Sequence, residues 1–161
     1  MAMDMFLKLA DVTGEAQDAQ GHVDEIDVLA WSWGVSQSGT THMGGGSGAG
    51  KLSVQDISLT KYVDRSSPTL WKFCANGKHI ADGKLTLRKA GENPLEYVVI
   101  ELTDIMITSC STGGSGGEDR LTENVTLNFA EFTLTYTIQN ADGTAGEAIP
   151  VTVDIPGNLV S

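Results

Sequence analysis

The residues of this chain that could do chemistry at useful spacing fall into a few sets, and each stops short of a complete site. Gly45-x4-Gly50-Lys51 is the front of a phosphate-binding loop. That motif needs Ser or Thr next, to hold magnesium, and a helix behind it to face the phosphate; position 52 is Leu and a strand pattern follows. The second cluster, Gly113-Gly-Ser-Gly-Gly117, is glycine for backbone freedom in the same way. His22, His42 and His79 have no Cys or His at metal-ligand spacing, and no HxxxH or CxxC occurs, so no metal and no cofactor is expected. Serines are abundant, yet Gly46-Ser-Gly48 and Gly114-Ser-Gly116 lie in loop sequence and not between a strand and a helix, where a nucleophile elbow would sit. Glu118 and Asp119 are adjacent carboxylates whose side chains point apart in extended chain. Cys74 falls on an apolar helical stripe and Cys110 near a strand end; each reads as a small buried hydrophobe, and their separation in space stays open. These residues do not make an enzyme.

The elements that would position them are mostly strands. Met3, Met5, Leu7 and Leu9 alternate with polar residues, the mark of a half-buried strand. Glu25 to Gln37 reads as one long strand, with Leu29, Trp31 and Trp33 on one face and Ala30, Ser32 and Gly34 on the other. Ser38 to Gly50 has six glycines in 13 residues and no apolar period, which makes it an arm longer than a hairpin requires. Leu52 to Tyr62 is a strand whose apolar positions shift from even to odd, a sign of a bulge. A single helix is expected over about 64–76, with Ser67-Pro68 at its start and Gly77 as its stop. Strands follow over 79–89, 95–108, 124–138 and 148–155, with a glycine-rich loop over 109–120. The 124–138 strand changes its apolar face between Phe129 and Phe132.

The whole is a single mainly-β domain over 1–161, a small β-barrel or two-sheet antiparallel structure with one short flanking helix. Its 161 residues can bury about 70% of the unfolded chain's surface. No apolar run approaches the roughly 18 residues of a membrane helix, so no membrane insertion is expected. The start lacks the basic and apolar regions of a signal peptide, and none is expected.

Charge is segregated. The chain carries −11 formally, yet residues 51–89 hold eight of the ten basic residues and sum to +5, leaving −16 on the remainder. Such a division is either an accident of a solvated surface or the mark of a self-complementary protein in which a basic face meets an acidic face of the next copy. The net field repels phosphate, so nucleic acid is not an expected partner.

Several segments together resemble one family. They are Glu25-Ile-Asp-Val-Leu-Ala-Trp-Ser-Trp-Gly34, Gln37-Ser-Gly39, His42-Met-Gly-Gly-Gly46, Gly48-Ala-Gly-Lys51, Leu59-Thr-Lys-Tyr62, Ser67-Pro68 and Leu85-Thr-Leu-Arg-Lys-Ala90. The most specific is Ser111-Thr-Gly-Gly-Ser-Gly-Gly-Glu-Asp-Arg-Leu-Thr-Glu-Asn-Val-Thr-Leu-Asn-Phe129. The chain resembles the Hcp family, haemolysin-coregulated proteins of bacterial type VI secretion, from Met3 to about Ile138. That resemblance implies a small β-barrel assembling as a homohexameric ring. Stacked rings would form the inner tube, tipped by a spike protein, expelled by a contractile sheath and able to carry effector proteins. It also implies assembly in the bacterial cytoplasm and secretion without a signal peptide.

On this reading Ala30, Ser32 and Gly34 face the ring's lumen or an interface. His42, Met43, Gly44, Gly45, Gly46 and Lys51 belong to an inter-subunit or inter-ring arm, and Glu118, Asp119 and Arg120 to an interface loop. Two rivals remain at the level of residues: a lectin-like β-sandwich binding through Trp31, Trp33 and Trp71, and a hydrolase using His42 or His79.

Overall fold

In a computed structural model, which describes residues 3–39, 52–91 and 93–161, the alternating apolar residues become strands in chain order. They are β1 (Met3–Leu9), β2 (Ile26–Asp27), β3 (Ala30–Ser32), β4 (Val35–Gln37), β5 (Leu52–Val54) and β6 (Ile57–Tyr62). Helix α1 (Ser67–Asn76) follows, then β7 (His79–Lys89), β8 (Leu95–Gly113), β9 (Thr122–Gln139), β10 (Ala145–Asp154) and β11 (Leu159–Val160). All pairings are antiparallel. One sheet runs β11-β10-β9-β8-β7-β1-β2, and β6 pairs with β9 and carries β3 on its other edge. Strands β4 and β5 form a separate pair. The arm residues His42, Met43, Gly44, Gly45, Gly46 and Lys51 lie outside the described residues.

The sheet is creased along one line. In β9, burial passes from Val125, Leu127 and Phe129 to Phe132, a change of parity. In β8 it passes from Ile100 and Leu102 to Ile105 and Ile107, and in β7 from Ile80 to Leu85 and Leu87. The residues at which parity changes are paired: Asp82 with Thr103, and Thr103 with Glu131. Three neighbouring strands therefore turn their apolar side over at the same row, and the two halves of the sheet face a common core. Asp104 sits at this row with φ of 54°. At the row beside it, Gly83 admits Leu9 and Ile105, whose side chains would stand 2.7 Å from any Cβ placed there. The core is Leu7, Leu9, Ile57, Leu59, Ile105 and Leu127 with their neighbours, and Leu70 and Phe73 of α1 close it from one side.

Of the two architectures expected, a small β-barrel or a two-sheet antiparallel structure, the described residues give antiparallel sheets of nine and two strands with one helix, and no closed barrel. Four other expectations change. The single strand over 25–37 is three short ones, because the chain changes partner twice: β2 lies on β1, β3 on β6 and β4 on β5. Leu29, at the first change, is exposed and not in the core. The helix starts at Ser67, not near 64. Asp64 instead closes a turn before it, its backbone oxygen accepting from Ser67 N at 3.1 Å. The loop read from Ser109 begins after Gly113, since β8 continues against β9 through a register shift between Ile107 and Ser109. The stop at Gly77 is as expected, with φ of 68° in the left-handed region.

Candidate assembly surface

The register places Ala30 and Ser32 within a wide outer face. Ala30 is opposite Thr60, Thr60 opposite Asn124, and Asn124 opposite Ser111. The next row runs Ser32, Ser58, Thr126, Ser109. Directly opposed residues share a face, so four strands present Ala, Ser, Thr and Asn together. The intervening row, Trp31, Leu59, Val125, Cys110, faces the core. Thus Ala30 and Ser32 are exposed while Trp31 and Trp33 pack inward. Trp33 meets Phe132 edge-on at 4.7 Å between ring centres, and its indole N–H donates to Gln55 O at 2.8 Å. Gly34 lies just past β3, where its carbonyl accepts from Gln55 N at 2.9 Å.

Hydroxyls on this face bond to one another. Thr60 donates to Asn124 Oδ1 at 2.8 Å, and Ser109 and Thr126 hydroxyls are 2.6 Å apart. Asp56 closes one end, accepting from Thr108 at 2.7 Å and Asn128 at 2.9 Å. At the other end Tyr62 is opposite Thr122, and the Arg120 guanidinium stands 3.8 Å over the Tyr62 ring. Arg120 therefore reaches the same face as Ala30 and Ser32. Glu118 and Asp119 are exposed in the loop before it, which is tied down where Val63 N donates to Leu121 O at 2.9 Å.

Beside Arg120 a cleft is lined by Asp4, Glu15, Asp18, Asp27 and Asp64. Burial, and then the neighbouring Asp64, hold the Asp27 carboxyl above its usual range, with Arg120 opposing them. The hydrogen bond from Arg88 holds Asp18 below its usual range. Arg88 is itself buried, bonded to Asp18 and to Asp4 at 3.0 Å, and stands 5.1 Å from the Phe6 ring. Phe6 stacks on His22 at 4.4 Å. His22 Nδ1 lies 2.9 Å from Glu25 and its Nε2 2.6 Å from Glu96. This chain of contacts fixes the acidic loop between β1 and β2 onto the sheet. His22 is thus a packed, fully engaged residue.

Sequence reasoning missed the network under α1. Lys61 and Glu123 are opposed on β6 and β9 on the core-facing side, and both are buried. Lys61 Nζ donates to Glu123 at 2.7 Å, Asp64 at 3.0 Å and Tyr62 O at 2.9 Å. Ser67 Oγ donates to Glu123 at 2.9 Å, and the Trp71 indole N–H donates to it at 3.3 Å. The one available signal was a Lys and a Glu in otherwise apolar alternation. Two cations of the basic segment, Lys61 and Arg88, are consequently internal and contribute little to a basic surface.

Among the described residues no group of His, Cys, Asp and Glu could hold a metal ion, and no helix is long and apolar enough to cross a membrane. His79, a candidate of the hydrolase reading, is exposed and bonded to Asp104 at 2.7 Å, with no nucleophile in that contact.

The family described as "Type VI secretion system effector, Hcp" matches residues 6–136 of this chain. Protein hcp1 of Pseudomonas aeruginosa is 62% identical over 144 residues, covering 89% of this chain and 88% of that protein. The crystal structure of Hcp1 from Salmonella typhimurium superposes with a TM-score of 0.83 at 39% identity, covering 100% of both chains. A type VI secretion system effector from Yersinia pestis does so with a TM-score of 0.77 at 36% identity, over 94% of this chain and 99% of that one.

Proposed function

The chain belongs to the Hcp family of type VI secretion, and from that premise we propose that six copies close into a ring whose bore is lined by the hydroxyl face around Ser32. As a family member it is a structural component of the type VI secretion tube, a secreted protein. The observation that carries the bore assignment is the outer face of β3, β6, β8 and β9. It is broad, exposed, rich in Ser, Thr and Asn, and almost free of charge. A conduit for varied proteins needs a wetted surface that neither grips apolar patches nor selects one sign of charge.

Rings of this kind stack head to tail into the tube, and the heterologous contact between subunits within a ring draws on the segregated charge. The arm over 38–50, with His42 and Met43, and the Glu118–Arg120 loop are assigned to contacts between subunits or between rings. Ring assembly takes place in the bacterial cytoplasm, before the sheath expels the tube and its spike. Effector proteins ride against the Ser32 face.

The lectin-like alternative has nothing in its favour. Its candidate aromatics Trp31 and Trp33 are committed to the core, and the Trp71 indole N–H is bonded to Glu123. Solution mass by light scattering at micromolar concentration tests the ring: six copies are expected, and a mass near one chain would overturn it. Shortening Met43–Gly48 to two residues should leave the fold intact by circular dichroism and abolish tube assembly. A variant that still builds full tubes would remove the arm from the contacts.

A further inference from the structure

We propose that Cys74 and Cys110 form a two-electron redox site, a dithiol that closes to a disulfide between α1 and β8 on meeting a low-molecular-weight disulfide oxidant. Such conditions would follow from secretion, and to that extent the proposal rests on the function given above.

The placement comes from how α1 lies along β8. The helix start is fixed over Glu123, through Ser67 and Trp71, and Glu123 is opposite Thr112. The helix stop, Gly77, stands against Met106, whose Cε would be 3.6 Å from a Cβ at that position. The helix therefore runs antiparallel to β8 between rows 112 and 106. Cys74 falls three residues after Trp71 and three before Gly77, over the middle of that span. The inward-facing residue there is Cys110, in the row Trp31, Leu59, Val125. Both cysteines are half-buried, free, and packed against the same core. Cys74 lies close enough to Cys110 to act on its thiol.

The surroundings give the two sulfurs different roles. Burial first, and then Cys74, push the Cys110 thiol up to about 12. Cys110 is held as the thiol, so Cys74 is the sulfur that attacks. In the first step the Cys74 thiolate displaces one half of the oxidant, forming a mixed disulfide and releasing a thiolate that takes up the proton Cys74 lost. In the second, Cys110 gives up its proton, attacks Cys74 sulfur and expels the other half, which takes up that proton. Two protein thiols and one small disulfide become one protein disulfide and two small thiols, with two electrons passing to the oxidant. A thiol held so firmly protonated makes the second step slow. That suits a protein that must stay reduced in a reducing interior, where structural disulfides are rare.

The test uses the native protein with oxidised glutathione at pH 8, followed by alkylation and intact-mass measurement. The expected result is loss of about 2 Da, no alkylated cysteine, and a Tm raised by several degrees by the new cross-link. The Cys110→Ser variant should instead retain one glutathione on Cys74, because nothing resolves it. Two alkylated thiols in the wild type, glutathione retained on both cysteines, or a disulfide joining two chains would each overturn the proposal. Protein recovered from culture medium should carry the closed pair, and cell-associated protein the open one; open thiols in the medium would overturn that half. Absence from the medium would count against the secretion reading, while the glutathione reaction still decides the pair.

Discussion

Glu123 shows how much one side chain can hold. Its carboxylate accepts from Lys61, Ser67 and Trp71, and so joins β6, β9 and α1 at a buried point. Removing it leaves Lys61 buried with Asp64 as the one carboxylate it still meets. Glu123→Ala should cost about 3–5 kcal/mol in urea unfolding, and a loss within experimental error would show that Lys61 re-solvates freely. Asp27 gives the opposite lesson. Its folded-state carboxyl is held above the usual range by burial and by Asp64. The charged form therefore costs stability at neutral pH, and that cost is relieved as pH falls through the raised value. Asp27→Asn should stabilise at pH 7, by under about 1 kcal/mol after solvent screening, and the gain should disappear in the acid range. A gain equal at pH 7 and pH 4 would contradict this. Asp18 works with reversed sign: Arg88 holds its carboxyl low, so its contribution is present above the unfolded value and lost as pH falls through the folded one. None of these pairings was legible in the sequence. Lys61 and Glu123 are 62 positions apart, and a local pattern carries no record of which strands will meet.

Strands were legible where apolar residues alternate, as in β1, β7 and β9. They were not legible where the chain changes partner, as between β2, β3 and β4, because a change of partner leaves the period untouched. The outer hydroxyl face was foreseen only at Ala30 and Ser32. The three further strands that extend it become neighbours through pairings as distant in the chain as Ile57 with Leu127. The parity change in β9 could be read directly, but its alignment with β7 and β8 could not. Gly83 is where that alignment is most demanding. A methyl group there would stand 2.7 Å from both Leu9 and Ile105 side chains and 3.1 Å from Lys8 O. The last of these is backbone and cannot move aside. Gly83→Ala should therefore destabilise by roughly 1–3 kcal/mol in thermal or urea unfolding, whereas alanine is ordinarily the better strand residue. A neutral result would mean that the crease can open at this row.

A single chain carries −11, and two of its ten cations, Lys61 and Arg88, are spent inside. Six copies together would carry −66. Rings so charged repel one another through water at low ionic strength, and salt shortens the reach of that repulsion to about 8 Å at 0.15 M. Sedimentation should show stacks growing as salt rises. Stacks that dissolve with salt would mean that attraction between acidic and basic faces, and not repulsion, governs the contact. The same sheet also has a history in time. Strands β7 to β10 follow one another along the chain and each pairs with the next, so they can zip together as they are made. The first strand cannot. Two residues of β2 reach one of its edges early, but its full-length partner is β7, where Leu7 pairs with Leu85. At the usual pace of about 5–20 residues per second, the ribosome needs roughly 4–16 s to supply that partner. Until then the strand made first waits with the edge that β7 will cover bare, and the newborn chain depends on chaperones, or on speed, to keep Phe6, Leu7 and Leu9 from finding another one like itself.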